Sequence, residues 1–343
     1  MCQHPAGSFQ FLSLSFCALR LLHSMPALEV SQYPSRLGAF GLPETAQPDA
    51  RARTEEASRK LGRTVNAAQP NVIFAFTDDH FENFYPNNMP SIAVGVAEEH
   101  SGPAAQLLEA LRVKEKCGFP GNPVVAEKLI TSLVHDGFDV SRTGTAEFDQ
   151  NVVIPWGLMK PDLPNVSLIP IFINVFMPPL IPYHRAYALG QVVRRAIKAV
   201  PANCRPPSWN LNQPHDPFLG RMKEFQTFGK PVLEKYPNLF VEPDRYEMEM
   251  AKKNQYPLNL KHPLINSDWD RLFPKHYCDG DIEWIKGLTY AGVEYNAAHG
   301  GHEALNYVAV LGAMDGAKSR LVLYEPVMEW ICGMAYIDFG VEP

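Results

Sequence analysis

The feature that most constrains this chain is residues 71–85, Asn-Val-Ile-Phe-Ala-Phe-Thr-Asp-Asp-His-Phe-Glu-Asn-Phe-Tyr. Residues 72–76 are apolar without a break and rich in β-branched and aromatic side chains. Such a run predicts a buried strand. It stops at a polar turn that carries His80. A strand that hands a histidine to the end of a sheet is one way an α/β protein places a metal ligand. A lone histidine there is more often a hydrogen-bonded surface group, so the reading depends on partners elsewhere in the chain.

The remaining pattern alternates strands and helices. Residues 1–10 read as a disordered start. Residues 9–22 imitate the apolar part of a signal peptide, but no basic segment precedes them and no clear small-x-small cleavage site follows. The run is also too short to span a bilayer. Its second half, 16–22, predicts the first strand, ended by Pro26, with His23 at its carboxyl end. Residues 50–65 predict a solvated helix and 104–116 a second one. Residues 124–135 predict a third, with Val125, Leu129 and Leu133 at helical spacing and Gly137 as its C-terminal cap. Short strands are expected at 89–96 and from 138. A stronger buried strand is expected at 167–174, broken off by Pro178-Pro179. Residues 186–200 form an amphipathic helical pattern, 302–314 a clear helix and 320–324 a last strand. Between 201 and 285, prolines and aromatics are frequent and periodicity is weak. This order predicts an α/β fold: a central, mostly mixed sheet flanked by helices, with its active site at strand carboxyl ends. His23, His80 and Asn174 all fall at such ends.

The totals narrow the function classes. The chain has 343 residues, 46% hydrophobic and 20% charged, enough for a sizeable core. The formal net charge is -6 and the basic residues are dispersed, which argues against nucleic acid or an anionic membrane as the main partner. None of the six cysteines forms a C-x-x-C pair. Scattered thiols fit a reducing, cytoplasmic setting better than a disulfide scaffold.

Two further residues give His80 company: His23, after an apolar run, and Glu303, at the start of an apolar helix. Two histidines and one carboxylate are the ligand set of non-haem Fe(II) oxygenases. The surrounding motifs occur in one order: His23-Ser-Met-Pro, Asp79-His80-Phe-Glu-Asn-Phe, Pro120-Gly-Asn-Pro, Asp136-Gly-Phe-Asp, Pro178-Pro179 with Arg185-Ala-Tyr-Ala-Leu-Gly190, and Gly301-His-Glu303. That ordered set resembles the class III extradiol ring-cleavage dioxygenases over roughly residues 16–225 and 287–339. Residues 230–286 match poorly and read as an insertion in one domain spanning 1–343. The resemblance implies Fe(II) on His23, His80 and Glu303, with zinc the alternative ion. It also implies a small aromatic diol and O2 as substrates, and self-association into dimers or larger assemblies.

Two positions test the resemblance. A chelating catechol must lose protons, and a histidine is suited to take them near neutral pH. The family's base matches His215, in Gln213-Pro-His215-Asp-Pro, although the strand and glycine-rich turn expected before it are missing. A second active-site histidine of the family falls on Gln150, in Phe148-Asp149-Gln150. Glutamine can orient a substrate through hydrogen bonds but cannot take up a proton. His299 and His302 could compensate, but beside Glu303 they read rather as groups behind a ligand or as surface groups. The alternative readings are a non-catalytic metal-binding or interaction protein on the same fold, and a zinc hydrolase with the same three ligands.

Overall fold

The computed structural model describes residues 9–12, 18–19, 46–198 and 265–339, apart from short breaks at 69, 109–112, 161, 164–165, 298 and 328–331. The central sheet has five strands: β1 (Phe9–Leu12), β3 (Val72–Thr77), β8 (Ser167–Ile173), β4 (Ile92–Gly95) and β7 (Ser141–Thr143), adjacent in that order. β1, β3 and β8 run parallel, β4 opposes β8, and β7 runs parallel to β4. The sheet is therefore mixed, as the alternating pattern predicts. β2 (Ala18–Leu19) joins β10 (Cys332–Asp338) and β9 (Arg320–Val327) in a separate antiparallel sheet. β5 (Glu99–Gly102) and β6 (Cys117–Pro120) form a hairpin.

The unbroken apolar run of β3 follows from burial on both faces. Side chains alternate across a strand. Val72, Phe74 and Phe76 join one core with Ile169, Ile171 and Ile173 of β8. Ile73 and Ala75 join another with Leu168 and Phe172. The first core is closed by α2 (Pro123–His135), α4 (Tyr183–Lys198) and α8 (Ala304–Ala313). The second is closed by α1 (Pro48–Ala68) and α3 (Gln150–Met159). α2 starts one residue before the expected 124, with Asn122 capping the Val125 N–H, and the expected Gly137 follows the helix at φ +81.

Several expectations are corrected. Among the described residues, the N-terminal strand of the central sheet is Phe9–Leu12, which includes residues expected to be disordered. Within 16–22, Ala18–Leu19 pairs instead with the C-terminal sheet. Where a helix is expected at 104–116, the described residues hold one 3-10 turn, Ala105–Leu107, and residues 113–116 are irregular before β6. Helix α3 was not anticipated, because Pro155 lies inside it. α5 (Ser267–Asp279), α6 (Ile282–Lys286) and α7 (Tyr290–Ala297) add helix to a segment that shows little periodicity. Phe273, Tyr277 and Ile285, from the C-terminal part of the expected insertion, are buried in the main core.

α4 and α8 cross with their backbones in contact. A Cβ at Gly312 would strike the Tyr187 carbonyl, and one at Gly190 the Ala309 carbonyl. Overpacking of that kind, against backbone that cannot turn aside, costs about 1–3 kcal/mol. Gly312→Ala is expected to lower the unfolding free energy by that amount, read as a lower urea midpoint with the slope of the transition unchanged.

His100 is fully buried behind the sheet. Its Nδ1 accepts the Ala146 N–H at 3.1 Å, so the neutral ring carries its proton on Nε2. Burial pushes its pKa from 6.5 down to about 4. The unfolded chain therefore takes up a proton near pH 6.5, and the folded chain only near pH 4. The stabilisation is complete above pH 6.5 and is lost as pH falls toward 4, by up to about 3 kcal/mol. His100→Gln, which keeps an acceptor for Ala146, is expected to flatten this part of the stability–pH curve. Urea titrations of both proteins between pH 7 and 4.5 measure the difference.

Candidate metal centre and active site

Three element ends meet at one place. β3 delivers Asp78 and His80 just beyond its carboxyl end. The N-terminus of α3 delivers Asp149, Gln150 and Asn151. The 3-10 turn His299–Glu303 leads into α8 and delivers Glu303 and Asn306. Asp78, His80, Gln150, Glu303 and Asn306 are all buried.

Asp149 connects two of these ends. Its Oδ1 accepts the Asn151 N–H at 2.8 Å and caps α3. Its Oδ2 lies 2.7 Å from His80 Nδ1 and also accepts the His80 N–H at 3.0 Å. A carboxylate accepts only, so the neutral imidazole carries its proton on Nδ1 and presents the Nε2 lone pair. This is the arrangement that makes a histidine a well-oriented metal ligand. The ring also packs against Phe176, with centroids 4.7 Å apart.

Asp78 joins all three ends. Asn151 Nδ2 donates to both of its oxygens at 2.9 Å, and Asn306 Nδ2 donates to Oδ1 at 3.0 Å. Asp79 turns the other way. It accepts the Asn83 and Phe84 N–H groups and the Asn83 side-chain amide, which fixes the turn that carries His80. Asn83 in turn exchanges hydrogen bonds with the Glu147 backbone, two residues before Asp149. Burial, with the Asp149 charge second, pushes Asp79 up to about 7.

Asp78, His80 and Glu303 each offer a ligand atom, and these atoms lie within 4.8 Å of one another. Two atoms bonded to one first-row ion at about 2.1 Å lie no more than about 4.2 Å apart. The spacing is close to that limit, so the cluster is a candidate for a divalent ion. Asp78 is the least suited of the three. Its closest approach to the imidazole, 3.6 Å, is to the Nδ1 already held by Asp149, and both its oxygens hold amides. Among the described residues, His80 and Glu303 are thus the better-suited candidates for ligands.

Of the residues expected from sequence, the structure brings His80 and Glu303 together and puts Gln150 beside Asp149. His23 and His215 lie outside the described residues. Asn174 is at the end of β8 but serves a turn, its side chain bonding the Phe176 and Met177 backbone. The sequence reading missed Asp78, Asp149, Asn151 and Asn306 as parts of the site. Asn306 carried a usable signal, since it lies three residues after Glu303 and shares its helix face. Gln150 has no exposed surface, and neither side-chain amide atom has a hydrogen-bond partner. Leaving a buried polar group unsatisfied costs about 1–3 kcal/mol unless a water or a ligand answers it.

The chain belongs to the family described as the catalytic LigB subunit of aromatic ring-opening dioxygenase, which matches residues 29–204. The match takes in His80 and Gln150 and leaves His23, His215 and Glu303 outside. Longer similarity runs to proteins named 2,3-dihydroxyphenylpropionate/2,3-dihydroxicinnamic acid 1,2-dioxygenase. The one from Photorhabdus laumondii is 27% identical over 88% of this chain and 93% of its own. Those from Cupriavidus pinatubonensis and Rhodococcus jostii are 24% and 27% identical, over 84% and 77% of this chain and 91% and 83% of theirs. Among the described residues no helix is long and apolar enough to cross a membrane.

The Asp149–His80 pair makes a direct prediction. Asp149→Asn removes the charge that orients the imidazole and is expected to weaken Co(II) binding about 10- to 100-fold. Equilibrium dialysis measures this. Unchanged affinity would count against His80 as a ligand. Asp149→Ala is expected to cost about 1 kcal/mol more in stability through loss of the α3 cap.

Proposed function

We propose that this chain is a non-haem Fe(II)-dependent extradiol dioxygenase that cleaves the ring of a substituted catechol beside its two hydroxyls. The observation that carries the reading is the meeting of His80, oriented by Asp149, with Glu303 from the far end of the chain. His23 is proposed as the third ligand from its place in the ordered motifs. Fe(II) on these residues would supply open positions for the two catechol oxygens and for O2, with both oxygen atoms entering the product. The names of the relatives favour a catechol bearing a three-carbon acid chain, so 2,3-dihydroxyphenylpropionate is the first substrate to try.

The chain's own groups have separable tasks in this reading. His215 takes a proton from the diol. Gln150 accepts or donates a hydrogen bond to a substrate hydroxyl through its unpartnered amide. Phe81 and Phe176, with ring centroids 5.8 Å apart, form an apolar wall beside His80.

Anaerobic loading with Fe(II), followed by oxygen and a catechol panel, tests the proposal. A yellow ring-opened product is expected, and His80→Ala and Glu303→Ala are expected to abolish it. Bound iron without any ring-opened product, together with tight catechol binding, would favour the non-catalytic alternative raised by Gln150.

Gln150 gives a sharper expectation. Gln150→Leu removes two unsatisfied polar atoms, so stability is expected to hold or rise by about 1 kcal/mol while KM rises about tenfold. Gln150→His introduces a titratable group and is expected to add a limb near neutrality to the pH profile of kcat/KM. Urea unfolding and steady-state kinetics distinguish these outcomes.

A further inference from the structure

His302 lies next to Glu303 in a 3-10 turn. Such turns hold their residues by poorer hydrogen bonds than an α-helix does. Glu303 occupies the N-cap position of α8 with helical dihedrals (φ -57, ψ -21), yet its side chain does not cap the helix. The direction of the Glu303 carboxylate is therefore not fixed by helix capping.

The His302 imidazole is held from two other helices. Its Nε2 lies 3.1 Å from Glu294 Oε2, and its Nδ1 lies 3.2 Å from the hydroxyl of Tyr183. The Tyr290 ring stacks on it, with centroids 4.4 Å apart and planes 12° from parallel. Tyr290 and Glu294 are four residues apart on α7 and so share one face. Tyr183 is the first residue of α4 and is buried. An ionised carboxylate only accepts, so His302 donates from Nε2. Its Nδ1 then accepts the Tyr183 O–H. Both ring nitrogens are committed within the protein, which leaves neither to bind an ion or to pass a proton to substrate.

We infer that His302 is a positioning residue for Glu303: Tyr183, Glu294 and Tyr290 clamp its ring and so fix the turn that aims the Glu303 carboxylate at His80. The inference rests on the reading of His80 and Glu303 as metal ligands. It excludes His302 as a replacement for the imidazole absent at position 150.

Co(II) is the probe, read by its dissociation constant and its visible absorption spectrum, with Glu294→Gln and Tyr183→Phe as variants. Neither substitution touches a ligand. Each is expected to weaken Co(II) binding about tenfold and to alter the spectrum, while the pH profile of kcat keeps its shape. Wild-type affinity and spectrum in both variants would overturn the inference, and a limb of the pH profile lost alongside them would make His302 an acid–base group. Failure of the wild-type protein to bind Co(II) would overturn it together with the ligand reading. Should Tyr183→Phe not fold, Glu294→Gln decides, since that side chain is about a third exposed.

Discussion

The site is organised by carboxylates taken out of water. Asp78, Asp79, Asp149 and Glu303 are all buried where three element ends converge. A buried charge is tolerated only when it is paired or well hydrogen-bonded. Each aspartate meets this demand by fastening a piece of the site. Asp79 gathers amides of the turn that carries His80. Asp78 draws Asn151 and Asn306 together from two helices. Asp149 caps α3 and holds the imidazole. Hydrogen bonds lower the cost of these charges but do not cancel their field. A divalent cation between His80 and Glu303, as proposed, would be stabilised by that field.

The apolar framework makes that concentration of charge affordable. β3 is buried on both faces, so its carboxyl end cannot shift without disturbing two cores. The crossing of α4 and α8 at Gly190 and Gly312 brings backbones into contact, and this sets the depth at which α8 presents Glu303. The proposed ligands thus sit at the ends of rigid elements, as precise ligand placement requires.

What could be read from sequence follows from range. The buried strand and His80 were legible because a short apolar run followed by a polar turn is a local signal. Glu303 and Gln150 became legible only through the order of distant motifs. Asp149 as partner of His80 was not, since 69 residues separate them and no periodicity relates them. Helix α3 was hidden by Pro155 and by an apolar run with little helical contrast. The helix expected at 104–116 rested on propensity alone, and propensity yields to tertiary context. Two apolar segments, 9–12 and 16–22, competed for the edge of the central sheet. Composition cannot rank them, because pairing with Val72–Ala75 is decided by chain path.

Gln150 brings these levels together. Asp149 caps α3, so the residue after it is the first of the helix, where the backbone's positive end disfavours a protonated side chain. An imidazole at that position would be pulled two ways, toward the cation by Asp149 and toward the neutral form by burial and the helix. A glutamine removes the conflict. It keeps a donor and an acceptor at the same depth and carries no charge at any working pH. On the proposed reading, hydrogen-bonding substrate and moving protons then fall to different residues. Substrate orientation becomes insensitive to pH, and any dependence of turnover on pH must come from elsewhere in the chain.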